Sequence, residues 1–142
     1  MHVLDIAMYV IQKCIEDRKP ITNRQLQTIL YYIQIQYYKE NRTFLFNEDF
    51  EAWQSGPTIP LVYYRFCSNG VEPITFFMSN KDIKIKKDIR NIIDPIIEKY
   101  QDIKFRIFND KIIEKDNAWS FVYNNGTGHK EIIKKEILVI YK

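Results

Sequence analysis

The run TNRQLQTILYYIQIQYY (Thr22–Tyr38) leads, after a short polar gap, into FEAWQSGPTIP (Phe50–Pro60), and the rest of the chain is read outward from this pair. Thr22 is an N-cap residue type, and Gln25 stands where its side chain can reach back to the Thr22 amide, so the sequence predicts a capping box that opens a helix. Leu26, Ile29, Leu30, Ile33 and Tyr37 then recur at helical spacing and form one apolar stripe. Tyr31 and Tyr38 fall on one flank of that stripe, Tyr32 falls on the other, and Ile35 is almost opposite. A helix apolar nearly all round is a buried one, so this is expected to be the central helix, with part of its Tyr surface left for a partner.

The segment after it has strand chemistry. Thr43 to Phe46 and Phe50 to Trp53 are short aromatic and aliphatic runs separated by Asn47-Glu48-Asp49, which predicts a tight β-hairpin between them. Gly56-Pro57 breaks the chain: Gly tolerates positive φ and Pro presets a helical φ, so a short helix is expected from about Pro57 to Phe66.

These two blocks, in this order and at this spacing, resemble the Panacea domain family, which has phage-associated members. The resemblance rests on Leu26, Gln27, Ile29, Leu30, Tyr31, Tyr32, Glu51, Ala52, Trp53, Gly56, Pro57, Pro60 and Tyr63. It is closest from about residue 3 to 70 and thinner from 71 to 142, where Asp116-Asn117-Ala118-Trp119 matches an acid-x-Pro-Trp element. Thr28 stands where the family commonly has Lys, Ala118 replaces the Pro, and Glu114 replaces a common His.

At 142 residues the chain is long enough to bury one core, and residues 1–142 are expected to form a single domain. A hydrophobic share of 46% with 27% charged residues makes it globular, and the 15% aromatic share leaves Tyr and Phe over for the surface. The formal charge of +3 comes entirely from the second half: residues 1–70 carry seven bases and seven acids, residues 71–142 fourteen and eleven. Such an excess is too mild to argue for nucleic acid. Cys14 and Cys67 are read as two reduced thiols. Asp5, Gln12 and Lys13 interrupt the first apolar run, so neither a secretory signal nor a membrane span is expected, and the location predicted is cytoplasmic.

Val3 to Asp17 reads as a first helix, closed by Pro20. Ser79 to Lys81 reads as a polar loop. Ile85, Ile89, Ile92, Ile93, Ile96, Ile97 and Tyr100 give the clearest helical stripe, with Lys84, Lys86, Lys87 and Arg90 at its start and an expected kink or restart at Asp94-Pro95. A brief extended piece is expected at Lys104 to Ile107, a helix over 110–123, a plain loop at Asn124 to Gly128 and a last helix from Lys130 to Tyr141. The fold class predicted is mainly α, a single compact helical domain with one small β-hairpin.

No catalytic constellation emerges. His2 and His129 have no ligand-spaced Cys, Asp or Glu around them, so no metal site and no cofactor are expected. Glu48, Asp49 and Glu51 are consecutive hairpin carboxylates without an activating neighbour, better suited to a partner's basic patch than to acid–base work. The Panacea resemblance implies an antitoxin that binds and neutralises a protein toxin encoded beside it, with Tyr31, Tyr32, Trp53, Gly56, Pro57 and Tyr63 forming or supporting the contact and Glu48 and Asp49 as a second candidate surface. The alternatives are an adaptor that delivers its bound protein to a protease, a phage-encoded interaction protein and, less favoured, a nucleic-acid-binding regulator.

Overall fold

Residues 1–79, 82–102 and 117–141 are described by the computed structural model. The piece expected at Lys104 to Ile107, the front of the helix expected over 110–123, the Asn80-Lys81 end of the polar loop, and Glu114 and Asp116 lie outside them.

Helix α1 (Val3–Glu16) starts on His2, whose Nδ1 accepts the Leu4 N–H at 3.1 Å. Val3, Ile6, Ala7, Val10, Ile11 and Cys14, at spacings of three and four, are fully buried. Burial pushes the Cys14 thiol up to about 12, so it is an inert core group. The helix closes with Lys19 N–H on Cys14 O at 2.8 Å and Arg18 at φ 59°, a Schellman closure made without glycine.

Helix α2 (Asn23–Asn41) is the centre of the molecule, as its stripe predicts. Both capping-box bonds form: Gln25 N–H reaches Thr22 Oγ1 at 3.1 Å, and Thr22 N–H reaches Gln25 Oε1 at 2.9 Å. Leu26, Ile29, Leu30 and Ile33 have no exposed surface. What the stripe does not disclose is that Gln27 and Gln34 are buried as well, and each is used as a backbone clamp.

Gln34 corrects the expected hairpin. Its Nε2 donates to Phe46 O at 2.8 Å and its Oε1 accepts the Leu45 N–H at 3.0 Å. The backbone of the Thr43–Phe46 run is thus satisfied by a helix side chain, and no strand forms there. Strand β1 (Phe50–Trp53) pairs instead with β2 (Gly56–Thr58), in register Glu51↔Thr58, Ala52↔Pro57 and Trp53↔Gly56. The turn is Gln54-Ser55, not Asn47-Glu48-Asp49.

A second correction follows from the far end of the chain. Strand β3 (Glu131–Ile133) also pairs antiparallel with β1, so the β1–β2 hairpin is part of a three-stranded sheet of order β2-β1-β3. The terminal helix is shortened accordingly.

Gly56-Pro57 is in β2 and does not start the next helix. A Pro is tolerated there because β2 is an edge strand, and Gly56 has the positive φ expected, at 128°. Helix α3 (Pro60–Arg65) begins at Pro60, whose missing N–H costs nothing at the first helical position. Helix α4 (Lys87–Gln101) packs on α2 and buries Ile93 and Ile97. It runs through Pro95 without restarting; Pro95 and Asn91, whose carbonyl loses its donor, are both exposed. Asp94 accepts the Tyr9 hydroxyl at 2.7 Å instead of capping a new helix.

Helix α5 (Ala118–Tyr123) opens on an Asn117–Ser120 capping box. The chain then folds back through Gly128 to β3, and helix α6 (Lys135–Ile140) follows, burying Leu138. The molecule is mainly α, with the sheet laid against α2 and α5.

Candidate functional site

The first turns of α2 hold the β2–α3 junction through a chain of amide bonds. Ile59 N–H donates to Gln27 Oε1 at 2.8 Å, Gln27 Nε2 to Asn23 Oδ1 at 3.1 Å, and Asn23 Nδ2 to Tyr63 O at 2.9 Å. The first two of these links are buried and the third partly so, and leaving such a group unpaired in the interior costs about 1–3 kcal/mol. The hairpin and α3 are therefore fixed relative to the central helix by the Gln27 that the family motif contains.

On this frame stands an aromatic face. Trp53 meets Tyr63 edge-on at 5.0 Å between ring centroids, Tyr63 meets Tyr64 at 5.3 Å, and Trp53 lies 6.2 Å from Tyr64. Tyr64 is 61% exposed and Leu61, one helical turn away on α3, is 47% exposed. Trp53 is half-buried, fixed by its Nε1–H on Glu51 Oε1 at 2.9 Å, and carries Lys130 Nζ over its ring at 5.3 Å. Behind it Trp119 is buried and donates Nε1–H to Trp53 O at 2.7 Å. The rings are thus held in place while Tyr64 and Leu61 offer apolar surface, an arrangement suited to a binding anchor.

Arg24 lies under the hairpin. Its Nη1 donates to Thr58 Oγ1 at 2.9 Å and to Ser55 Oγ at 3.1 Å, and its Nη2 donates to Pro57 O. A Cβ built on Gly56 falls 3.4 Å from the guanidinium carbon, in ordinary van der Waals contact, so the positive φ of Gly56 rather than space is what favours glycine there. Burial pulls Arg24 from its ordinary 12.5 down to about 9, with nearby Tyr63 acting weakly in the other direction. It remains a cation at neutral pH.

The sequence-predicted residues separate into three groups. Trp53, Gly56, Pro57 and Tyr63 come together at this face, Gly56 and Pro57 as buried backbone beneath it. Tyr31 is 2% exposed and packs on Phe50 at 5.4 Å, so it supports the core; burial holds its phenol proton well above the ordinary range. Tyr32 is half-buried and stacks on Tyr100 at 4.7 Å, its phenol pushed up to about 12 by burial and by Tyr100. Glu48 and Asp49 are not at a hairpin tip. Asp49 pairs with Lys135 at 2.6 Å and is engaged within the chain, whereas Glu48 lies 3.7 Å from His2 and its Oε1 is buried without a hydrogen-bond partner.

Tyr64, Arg24 and Lys130 were not singled out by the sequence. For Tyr64 a signal existed, since it follows Tyr63 in a helix too short to bury both. A wide cleft lined by Tyr9, Lys13, Glu16, Asp17 and Phe77 lies elsewhere; Lys13 Nζ is paired there, 3.3 Å from Asp17 and 3.2 Å from Glu98, and Glu16 accepts the Gln12 amide at 3.1 Å. Among the described residues no cluster of His, Cys, Asp and Glu fit to hold a metal is found, and no helix is long and apolar enough to cross a membrane.

The profile of the family described as "Antitoxin SocA-like, Panacea domain" matches residues 26–120, which take in α2, the hairpin, α3, α4 and Trp119. A relative, Antitoxin SocA of Caulobacter vibrioides (strain NA1000 / CB15N), is 39% identical over 64 residues, covering 45% of this chain. The match spans 34% of that relative's own length. No solved structure matches the chain.

Proposed function

The chain belongs to the SocA-like antitoxin family of Panacea domains, and from that premise we propose that it is an antitoxin that neutralises a protein toxin by binding it directly. The observation that carries this reading is the family match over residues 26–120, because those residues build the hairpin, α3 and the Trp53–Tyr63–Tyr64 face. Neutralisation by binding needs a stable domain with an anchored aromatic surface. Tyr and Trp supply large contact area with few rotatable bonds, and they are enriched among the residues that dominate binding energy. Exposed Tyr64 and Leu61 supply the reachable area, and Trp53 and Tyr63 hold it rigid.

The reading is tested with the open reading frame adjacent to this gene. Expressed alone, its product should arrest growth; co-expressed with this chain, growth should return and the two proteins should co-purify. Arrest that persists on co-expression, or rescue without any complex, would contradict direct neutralisation.

A further inference from the structure

Arg24 brings a positive charge in behind the aromatic face, and no carboxylate answers it among the described residues. Its acceptors are two hydroxyls and one carbonyl, all neutral and all on the β1–β2 turn or on β2. Its Nε is enclosed and has no partner. Arg24 keeps some exposed surface, but its three bonds run to neutral groups, which return only part of the hydration that an enclosed charge loses. The cage is also a constructed one. The backbone at Gly56 lies against the guanidinium, and the Asn23–Gln27 amide chain holds the adjoining β2–α3 junction.

The guanidinium is not sealed off. Nη1 bonds Ser55, an exposed residue of the turn, so the edge of the group reaches the surface beside Trp53. Lys130, over the Trp53 ring, adds a second positive charge to the same face, while Glu51 is engaged by the Trp53 N–H. The face is therefore aromatic and carries two cations, Arg24 and Lys130, against the one carboxylate of Glu51.

We infer that Arg24 is the receptor for an Asp or Glu side chain of the partner protein, which docks at the Ser55 turn as the partner's apolar surface covers Trp53 and Tyr64. A carboxylate that replaces the neutral Ser55 hydroxyl on Nη1 forms a charge-assisted bond, and covering the face removes the water that would screen the pair. This inference rests on the antitoxin reading and adds the charge that the toxin must present.

The test uses the purified product of the adjacent open reading frame as the probe. Arg24→Met, close in length to the original but uncharged, should weaken toxin binding at least tenfold while still melting in one cooperative transition, the loss of its bonds to Ser55, Thr58 and Pro57 lowering the melting temperature without unfolding the chain. Arg24→Lys, which keeps the charge without the guanidinium, should recover part of the loss. In parallel, changing each Asp and Glu of the toxin singly to Asn or Gln should identify one position whose neutralisation weakens binding to the parent chain tenfold and has no further effect on Arg24→Met. Binding by Arg24→Met within threefold of the parent, or Arg24→Lys no better than Arg24→Met, would overturn the inference and leave the antitoxin reading standing. If Arg24→Met does not fold, the toxin-side series decides, and the absence of any sensitive carboxylate overturns the inference. A parent chain that does not bind the probe at all overturns both.

Discussion

Leu30→Asp is expected to abolish cooperative unfolding. Leu30 has no exposed surface and lies in the α2 stripe between Leu26 and Ile33, with α1, α3, α4, α6 and β2 all packed on that helix. A carboxylate there finds no cation, so it must either stay charged in an apolar site or take up a proton and remain without a partner. Together with the lost packing, either state costs roughly 3 kcal/mol or more, a large part of the stability of a domain this size. Thermal melting followed by circular dichroism checks this. A sigmoidal transition near that of the parent would mean that α2 is not the centre of the core.

Gly128→Ala is the second large effect, and it acts through space rather than dihedral freedom. A Cβ at position 128 would stand 1.8 Å from Val122 O and 2.9 Å from the Val122 carbonyl carbon, both backbone atoms of α5 that cannot rotate away. Gly128 N–H donates to Tyr123 O at 2.9 Å, and Lys130 N–H reaches Ala52 O at 2.7 Å, so this close approach is what carries the chain from α5 onto β1. The methyl should push the loop off α5 and loosen β3, at about 3 kcal/mol, as overpacking against an unyielding backbone does. Amide exchange at Glu131 to Ile133 should rise with the loss of melting temperature. Unchanged protection of β3 would contradict the close approach.

These cases show where sequence was sufficient and where it was not. The α2 stripe and its capping box were legible because both are local: spacing gives the face, and Thr22 and Gln25 satisfy each other within one turn. The hairpin partner was misread because Thr43–Phe46 has strand composition, while its backbone is satisfied by Gln34, a residue whose polarity argues for solvent until the fold encloses it. Strand β3 was hidden for a related reason. Ile133 continues the helical spacing of Ile137 and Ile140, and three residues of strand carry too little pattern to override it. Gly128 looked like ordinary loop composition, and its role is set by a carbonyl six residues away.

The candidate site divides in the same manner. Trp53, Gly56, Pro57 and Tyr63 were indicated by the family motif, and the structure brings them together. Tyr31 has the same chemistry as Tyr64, and only the packing of Phe50 against one and not the other separates core from surface. Arg24 could not have been selected, since an arginine in the first turn of a helix is usually solvated, and its bonds to Ser55, Pro57 and Thr58 exist only once the hairpin is brought over α2.

The most direct test of the central claim, that the Trp53–Tyr63–Tyr64 face binds the partner, is titration calorimetry of the adjacent-gene product against Tyr64→Ala. Tyr64 is 61% exposed, so its truncation should change stability by only about 0.5 kcal/mol. Loss of an aromatic anchor at an interface centre should cost roughly 2 kcal/mol of binding, about a thirtyfold weaker Kd. The account predicts that weakening at an essentially unchanged melting temperature. An unaltered Kd for Tyr64→Ala would contradict it and remove this face from the contact.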